Sequence, residues 1–110
     1  MTTRKKVATK FTATSYADSV GEDLINQLWE CWLNLHSVRR MKLTEERRIV
    51  IAYAIGTYGL ELALKAVQGC AVSEFHMGGN DLGKKYNSIE LIFRDEWRVK
   101  KFAKMLDDEQ

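Results

Sequence analysis

The segment Gly78–Lys84 matches the G-x-x-x-x-G-K pattern of loops that bind nucleotide phosphates. In such loops backbone N–H groups surround the phosphates, and a Ser or Thr after the lysine coordinates magnesium. Lys85 occupies that position here, and Tyr86 and Asn87 follow where the motif needs a long helix within a βαβ unit. We therefore interpret the segment as a glycine-rich surface loop and expect neither tight ATP binding nor hydrolysis.

Two cysteines and two histidines are the next candidates, because thiols and imidazoles bind zinc and act as nucleophile and base. Cys31 lies near His36 and Cys70 near His76, but the sequence has no C-x-x-C or H-x-x-x-H pair to seed a zinc site. No carboxylate stands at a spacing that marks it as the orienting partner of a Cys–His pair. We expect reduced, partly buried thiols, no metal, no cofactor and no enzymatic activity.

Positive charge is concentrated at the N-terminus, where residues 1–18 hold a net charge of +3 in a chain whose total is +2. The basic residues of this segment are Arg4, Lys5, Lys6 and Lys10. The segment is polar and shows no sustained hydrophobic period, which predicts a disordered basic arm. Such an arm suits weak contacts with nucleic-acid phosphates.

A second basic feature lies near the C-terminus, where Arg94, Arg98 and Lys101 follow each other at four- and three-residue steps. This spacing predicts a positive ridge along one side of the last helix. Phosphate contacts need only positive charge and accessible backbone amides, so we expect sequence-tolerant, salt-dependent DNA binding here. The open alternative is a solvated helix face that nearby acids partly neutralise.

The loop itself is the candidate partner-binding surface, because loops of a dozen residues are less often idle than short ones. Its candidate binding residues are His76, Asn80, Asp81, Lys84, Lys85 and Tyr86. We expect Phe75 and Tyr86 to anchor the two ends of the loop in the core and the polar residues to be displayed. A purely structural connection between helices remains the alternative.

Periodic apolar positions predict the helices that position these residues. Leu24, Leu28 and Trp32 recur at helical spacing and indicate a helix over about 20–37. Thr44 is a candidate N-cap for a second helix that ends at Gly59, and a third helix begins within a residue or two.

Turn-forming residues fill the segment from 73 to 87 and predict a loop. The apolar run Ile89–Phe93 fits either a helical turn or a short strand, and Asp95 is expected to cap a final helix. The expected fold is mainly α, a compact bundle of about four helices over residues 19–110. We expect the tryptophans Trp29, Trp32 and Trp97 to fill its core or the rim of the core.

Length and composition limit the protein to one small globular unit. The 110 residues are 45% hydrophobic and 29% charged, which suits a single domain with a real core. No apolar run approaches the roughly 18 residues that span a bilayer, and the N-terminus shows no apolar segment of an export signal. The expected location is the cytoplasm, without membrane insertion.

Several motifs follow one another from about Leu43 to Lys104. They are Leu43-Thr44-Glu45-Glu46-Arg47-Arg48, Tyr58-Gly59-Leu60, Gly69-Cys70-Ala71, Ser73-Glu74-Phe75-His76-Met77-Gly78, Gly79-Asn80-Asp81-Leu82-Gly83-Lys84-Lys85-Tyr86 and Leu91-Ile92-Phe93-Arg94-Asp95, before a helix with Phe102. The block from Phe75 to Arg94 is the most specific, because core packing alone does not select its Gly, Asn, Asp and Tyr spacing. This order resembles the C-terminal domain of phage and prophage replication proteins, the replisome organisers and helicase loaders.

The resemblance implies contact with replication proteins or single-stranded DNA, and it implies no catalytic residue. The winged-helix or helix-turn-helix domain that usually precedes this module has no counterpart in the sequence, so we expect no recognition of an origin sequence. The leading hypothesis is a non-enzymatic phage or prophage replication accessory that binds a replicative helicase or its loader, with auxiliary non-specific DNA contact, single- or double-stranded.

Two alternatives stay open. One is a phage-encoded inhibitor of a host replication or defence complex, which would arrest host growth when expressed alone. The other is a regulator that uses the second and third helices as a DNA-binding helix-turn-helix. The third helix is apolar and poor in the Arg, Asn and Gln that read base edges, which counts against the regulator.

Overall fold

A computed structural model describes residues 20–36 and 41–109 of the chain. These residues form five helices: α1 (Glu22–His36), α2 (Glu45–Tyr58), α3 (Leu60–Ala71), α4 (Ile89–Ile92) and α5 (Glu96–Glu109). The mainly α prediction is confirmed, and the short α4 accounts for the helix beyond the expected four. The predicted arm, with Arg4, Lys5, Lys6 and Lys10, lies outside the described residues.

Helix α1 forms where the hydrophobic period predicts it. Glu22 and Asp23 lie in its first turn, where the helix dipole favours acidic side chains. Ile25, Leu28 and Trp32 form its buried stripe, and Trp29 stacks on Trp32 with ring centroids 5.1 Å apart. The predicted core positions of Trp29 and Trp32 are therefore confirmed.

Helices α2 and α3 meet at a single residue. Thr44 caps α2 as predicted, because its Oγ1 accepts a hydrogen bond from the backbone N–H of Arg47 at 3.2 Å. Gly59 ends α2 with φ at 90°, a left-handed value that glycine adopts without strain. The chain bends there by 118° and enters α3 at the next residue, within the one or two residues expected from the sequence.

Helix α3 is the centre of the bundle and packs against all four other helices, most extensively against α5. Its approach to α5 is close at Gly69, where a Cβ atom would lie 1.7 Å from the carbonyl oxygen of Phe102. Val67 and Cys70 on α3 pack with Val99 and Phe102 on α5 in the same core. Residues from all five helices share this core.

Capping side chains also set the starts of the two C-terminal helices. Residues Ile89–Ile92 are helical rather than extended, because the Ser88 hydroxyl accepts a hydrogen bond from the Leu91 N–H at 3.1 Å and starts α4, and Phe93 is the C-cap. Asp95 caps α5 as predicted, accepting the Arg98 N–H at 2.8 Å.

Among the described helices, none alone is long and apolar enough to cross a membrane. The bent pair α2 and α3 passes the same length and composition test only when the two helices are taken together.

Candidate functional site

The loop between α3 and α4 folds back on itself. Met77 and Lys85 form an isolated antiparallel bridge, and the Tyr86 N–H donates to the His76 carbonyl oxygen at 2.8 Å. Gly78 and Gly83 reverse the chain with φ values of 104° and 62°, which glycine tolerates. The predicted loop is confirmed, and it has a defined shape.

Asn80 holds the loop in that shape. Its side-chain amide donates to the carbonyl oxygens of Phe75 and Lys84, both at 2.7 Å. Its Oδ1 accepts the N–H groups of Leu82 at 3.1 Å and Lys84 at 3.2 Å. Asn80 is half-buried, and backbone groups of the loop occupy the donors and the acceptor of its side chain. A substitution at Asn80 therefore changes the shape of the loop as well as its surface.

His76 attaches the loop to the core. Its backbone N–H donates to the Ser73 hydroxyl at 3.3 Å, so the hydroxyl hydrogen is available to the ring Nδ1 at 2.7 Å. The ring meets Phe102 edge-on, with centroids 4.8 Å apart. Burial, then the charges of Lys101 and Arg98, lower the pKa of His76 below its usual value. His76 is half-buried, and its ring anchors the loop against Phe102.

Phe75 points the other way. It is 56% exposed and stacks on Tyr86 with centroids 5.8 Å apart and planes 14° from parallel. The prediction that Phe75 anchors the loop in the core is wrong, because the neighbouring His76 fills that place against Phe102. Tyr86 is partly buried, and the Lys84 ammonium lies 5.8 Å from its ring centroid.

An open cleft of about 580 Å³ lies on the outer side of this loop. We define the loop cleft by its lining residues, Phe75, Gly79, Asn80, Asp81, Leu82 and Tyr86. Leu82 is 78% exposed and was missed by the sequence-based prediction. The sequence did indicate that Leu82 is exposed, because an apolar residue within a run of turn-forming residues has no periodic apolar neighbours to bury it.

The positive ridge predicted on the last helix is shorter than expected, and part of its charge is neutralised. Arg94 lies in the turn before α5, because Asp95 caps the helix, and only Arg98 and Lys101 lie on α5 itself. Arg98 forms an ion pair with Asp95 at 2.6 Å, so part of its charge is neutralised.

Trp97 is exposed at the start of α5, which contradicts the expectation that it fills the core or its rim. It is 64% exposed, and the ammonium of Lys101 lies 4.9 Å from its ring centroid, a cation–π contact. The helical phase could have shown this, because Trp97 lies about 140° around the helix from the buried Phe102. The other lysines on this helix, Lys100 and Lys104, form ion pairs with Glu96 and Asp108.

Helix α5 contributes positive charge that acts on the loop. The positive charges that act on His76 come from Arg98 and Lys101, and the His76 ring contacts Phe75. We define the aromatic–basic surface as Phe75, Tyr86, Trp97, Lys84, Arg98 and Lys101. Within residues 20–36 and 41–109, Lys84, Lys85, Arg94 and Lys101 form no ion pair, so their charge remains available to an anionic ligand.

The thiols offer little chemistry. Burial raises the pKa of Cys70 to about 12 and raises that of Cys31, so neither is a reactive thiolate at neutral pH. In the part of the chain that the structure describes, no three His, Cys, Asp or Glu side chains converge on a possible metal position.

Comparison with known proteins adds no relative. No protein-family model, curated protein or solved structure matches the chain. The function is therefore inferred from the loop cleft, the aromatic–basic surface and the resemblance described above.

Proposed function

We propose that this protein is a non-enzymatic accessory of DNA replication of the phage or prophage type. In this proposal the loop cleft binds a protein partner, a replicative helicase or its loader, and the aromatic–basic surface makes an auxiliary contact with DNA. The observation that carries the proposal is the exposure of aromatic rings among cations on a loop fixed to the core by His76.

The aromatic–basic surface suits single-stranded DNA better than duplex DNA. Every base has a face that stacks on an aromatic ring, but in a duplex those faces are covered by neighbouring base pairs. Trp97 and Phe75 each expose more than half of their surface, and the Lys101 ammonium lies beside the Trp97 ring, where it can contact phosphates. The contact is expected to be sequence-tolerant, because stacking does not discriminate base edges.

The burial of α3 argues against a helix-turn-helix regulator. A recognition helix needs a face free to enter the major groove. Here α3 contacts every other described helix, and Ala63, Ala66 and Val67 are fully buried. These contacts favour a core role for α3 over a place in the major groove.

Replacing Trp97 with Ala is expected to weaken binding to a labelled oligothymidine at least about fivefold, since one stacked base contributes about 1–3 kcal/mol. Trp97→Phe should retain part of the affinity. Lys101→Glu should also weaken binding and reduce the slope of log affinity against log salt, by about 0.7 for each phosphate that the protein no longer neutralises. Fluorescence anisotropy at several salt concentrations measures both effects.

The matched charge control is Lys42→Glu, because Lys42 is exposed and forms no ion pair among the described residues. This variant should bind oligothymidine as the wild type does. Equal affinity for the single strand and for a duplex of the same length, or unchanged affinity of Trp97→Ala, would contradict the assignment of this surface.

Partner binding is tested at Leu82, the most exposed apolar side chain of the loop cleft. Leu82→Asp is expected to weaken capture of the purified helicase or loader by tenfold or more, because it places a charge where an apolar contact forms. Leu35→Asp on α1 is the matched control, since Leu35 is also exposed. If Leu35→Asp and Leu82→Asp weaken capture equally, or if neither the helicase nor the loader binds the wild type, the partner assignment is wrong.

A further inference from the structure

The end of the loop is held by the C-terminal half of α1. The indole N–H of Trp32 donates to the Asn87 carbonyl oxygen at 2.8 Å. The side-chain amide of Asn87 contacts His36, with its Nδ2 3.1 Å from the ring Nδ1 and 3.3 Å from the His36 carbonyl oxygen. One residue, Asn87, thus connects the loop that carries the cleft to α1.

These contacts fix the protonation state of His36. Its Nε2 lies 2.8 Å from the Val67 carbonyl oxygen, an acceptor, so Nε2 carries a hydrogen. Nδ1 faces the amide nitrogen of Asn87, a donor, so Nδ1 must be the unprotonated acceptor. The Asn87 amide cannot turn over without placing its oxygen against the His36 carbonyl oxygen. The geometry therefore requires a neutral ring.

Burial and the charge of Lys85 oppose a positive charge on the ring, whereas the Val67 carbonyl oxygen favours one. His36 is 6% exposed, and Trp32 from α1 stacks on it with centroids 6.1 Å apart. From α3 the ring meets the Val67 carbonyl oxygen. The Cys70 thiol of the same helix donates toward the Tyr86 carbonyl oxygen and stays neutral because burial raises its pKa to about 12. From the loop, Lys85 is the charged group that acts on the ring, and its charge is positive.

We propose that the His36–Asn87 contact is a proton-operated latch: protonation of His36 places two donors against each other, releases Asn87, and frees the end of the loop. Tyr86, the neighbour of Asn87, lines the loop cleft and stacks on Phe75. Opening the latch therefore disassembles one wall of the cleft. The latch is a contact between α1 and the loop, and it can be tested whether or not the proposed function is right.

The direction of the pH effect follows from proton linkage. Burial, then the charge of Lys85, lower the pKa of His36 in the closed state, although its hydrogen bond to Val67 acts in the opposite sense. An opened loop returns the ring toward its ordinary pKa of about 6.5. The opening equilibrium constant should then rise as the pH falls below that value, by up to about tenfold per pH unit, until the closed state is protonated too.

Hydrogen exchange at the Tyr86 N–H measures the latch, because this amide is hydrogen-bonded to His76 inside the loop. After correction for intrinsic exchange, its protection should fall by up to about tenfold per pH unit below about pH 6.5. A buried amide in α5 should be more strongly protected than Tyr86 at every pH, because it exchanges through global unfolding and the Tyr86 amide through opening of the loop. Equal protection at both amides, or no fall at Tyr86, would overturn the proposal.

Two substitutions assign the effect to this pair. Asn87→Asp supplies a carboxylate that accepts a hydrogen bond from protonated Nδ1, so protection at Tyr86 should stay constant or rise as the pH falls. His36→Gln keeps a donor for the Val67 carbonyl oxygen and should remove the pH dependence. If His36→Gln does not fold, Asn87→Asp alone tests the latch. A fall in Tyr86 protection in Asn87→Asp as large as in the wild type would refute it.

His76 is the second histidine of the chain and also has a lowered pKa, so it needs its own control. His76→Asn retains an acceptor for the Ser73 hydroxyl and should leave the fall in Tyr86 protection in place. Disappearance of the fall in His76→Asn would assign the effect to His76 and overturn the role of His36.

Discussion

Replacing Gly69 with Ala is expected to destabilise the protein by about 3–5 kcal/mol, which is much of the stability of a domain of this size. The added Cβ would lie 1.7 Å from the carbonyl oxygen of Phe102 and 2.4 Å from its carbonyl carbon. Both atoms belong to the backbone of α5, so no side chain can rotate away. The two helices must separate, and the most extensive helix–helix interface of the bundle would open.

Gly56→Ala is the matched control for this substitution, because Gly56 is an exposed residue inside α2. There the same change removes backbone entropy from the unfolded chain at a solvent-exposed position, so it should be neutral or stabilise by up to about 1 kcal/mol. Urea unfolding followed by circular dichroism gives both values. A Gly69→Ala protein as stable as the wild type would show that α3 and α5 do not cross this closely.

Phe102→Ala is expected to cost about 3–5 kcal/mol, the usual range for removing a buried phenyl ring. Phe102 is 1% exposed and lies in the core shared by α3 and α5, and its ring also supports His76. The substitution should therefore loosen the loop as well as the core. Nuclear magnetic resonance should show the pKa of His76 returning toward about 6.5, because burial is the main cause of its depression.

Leu82→Ala provides the comparison for Phe102→Ala. Leu82 belongs to the loop cleft but is largely exposed, so its truncation should change the free energy of unfolding by less than about 0.5 kcal/mol. A similar decrease in stability in both variants would mean that the loop, and not the α3–α5 core, limits stability. An unchanged pKa of His76 in a folded Phe102→Ala protein would contradict the anchoring contact.

The helices could be predicted because local chemistry and hydrophobic period agree there. Thr44 and Asp95 cap helices from positions that the sequence shows directly, and Gly59 separates α2 from α3. The run Ile89–Phe93 stayed ambiguous because five consecutive residues fit both periods. The Ser88 cap decided between them.

The surface was less predictable because side-chain direction in a loop depends on distant residues. Phe75 and His76 are adjacent and both aromatic, and the choice of which one turns inward is made by Phe102 on α5. Asn80 is a typical exposed turn residue by type, yet its partners lie at positions that only the folded loop brings together. The close approach at Gly69 depends on the position of α5 and has no signature in the sequence.

The separation of the tryptophans has an optical consequence. Trp29 and Trp32 are buried and stacked, whereas Trp97 stands in solvent at the start of α5. Emission from the buried pair should be blue-shifted and should report the integrity of the core, while red-shifted emission from Trp97 should be quenched by water-soluble agents and by bound bases. A single unlabelled sample would thus distinguish unfolding from occupancy of the aromatic–basic surface, without a probe attached to the chain.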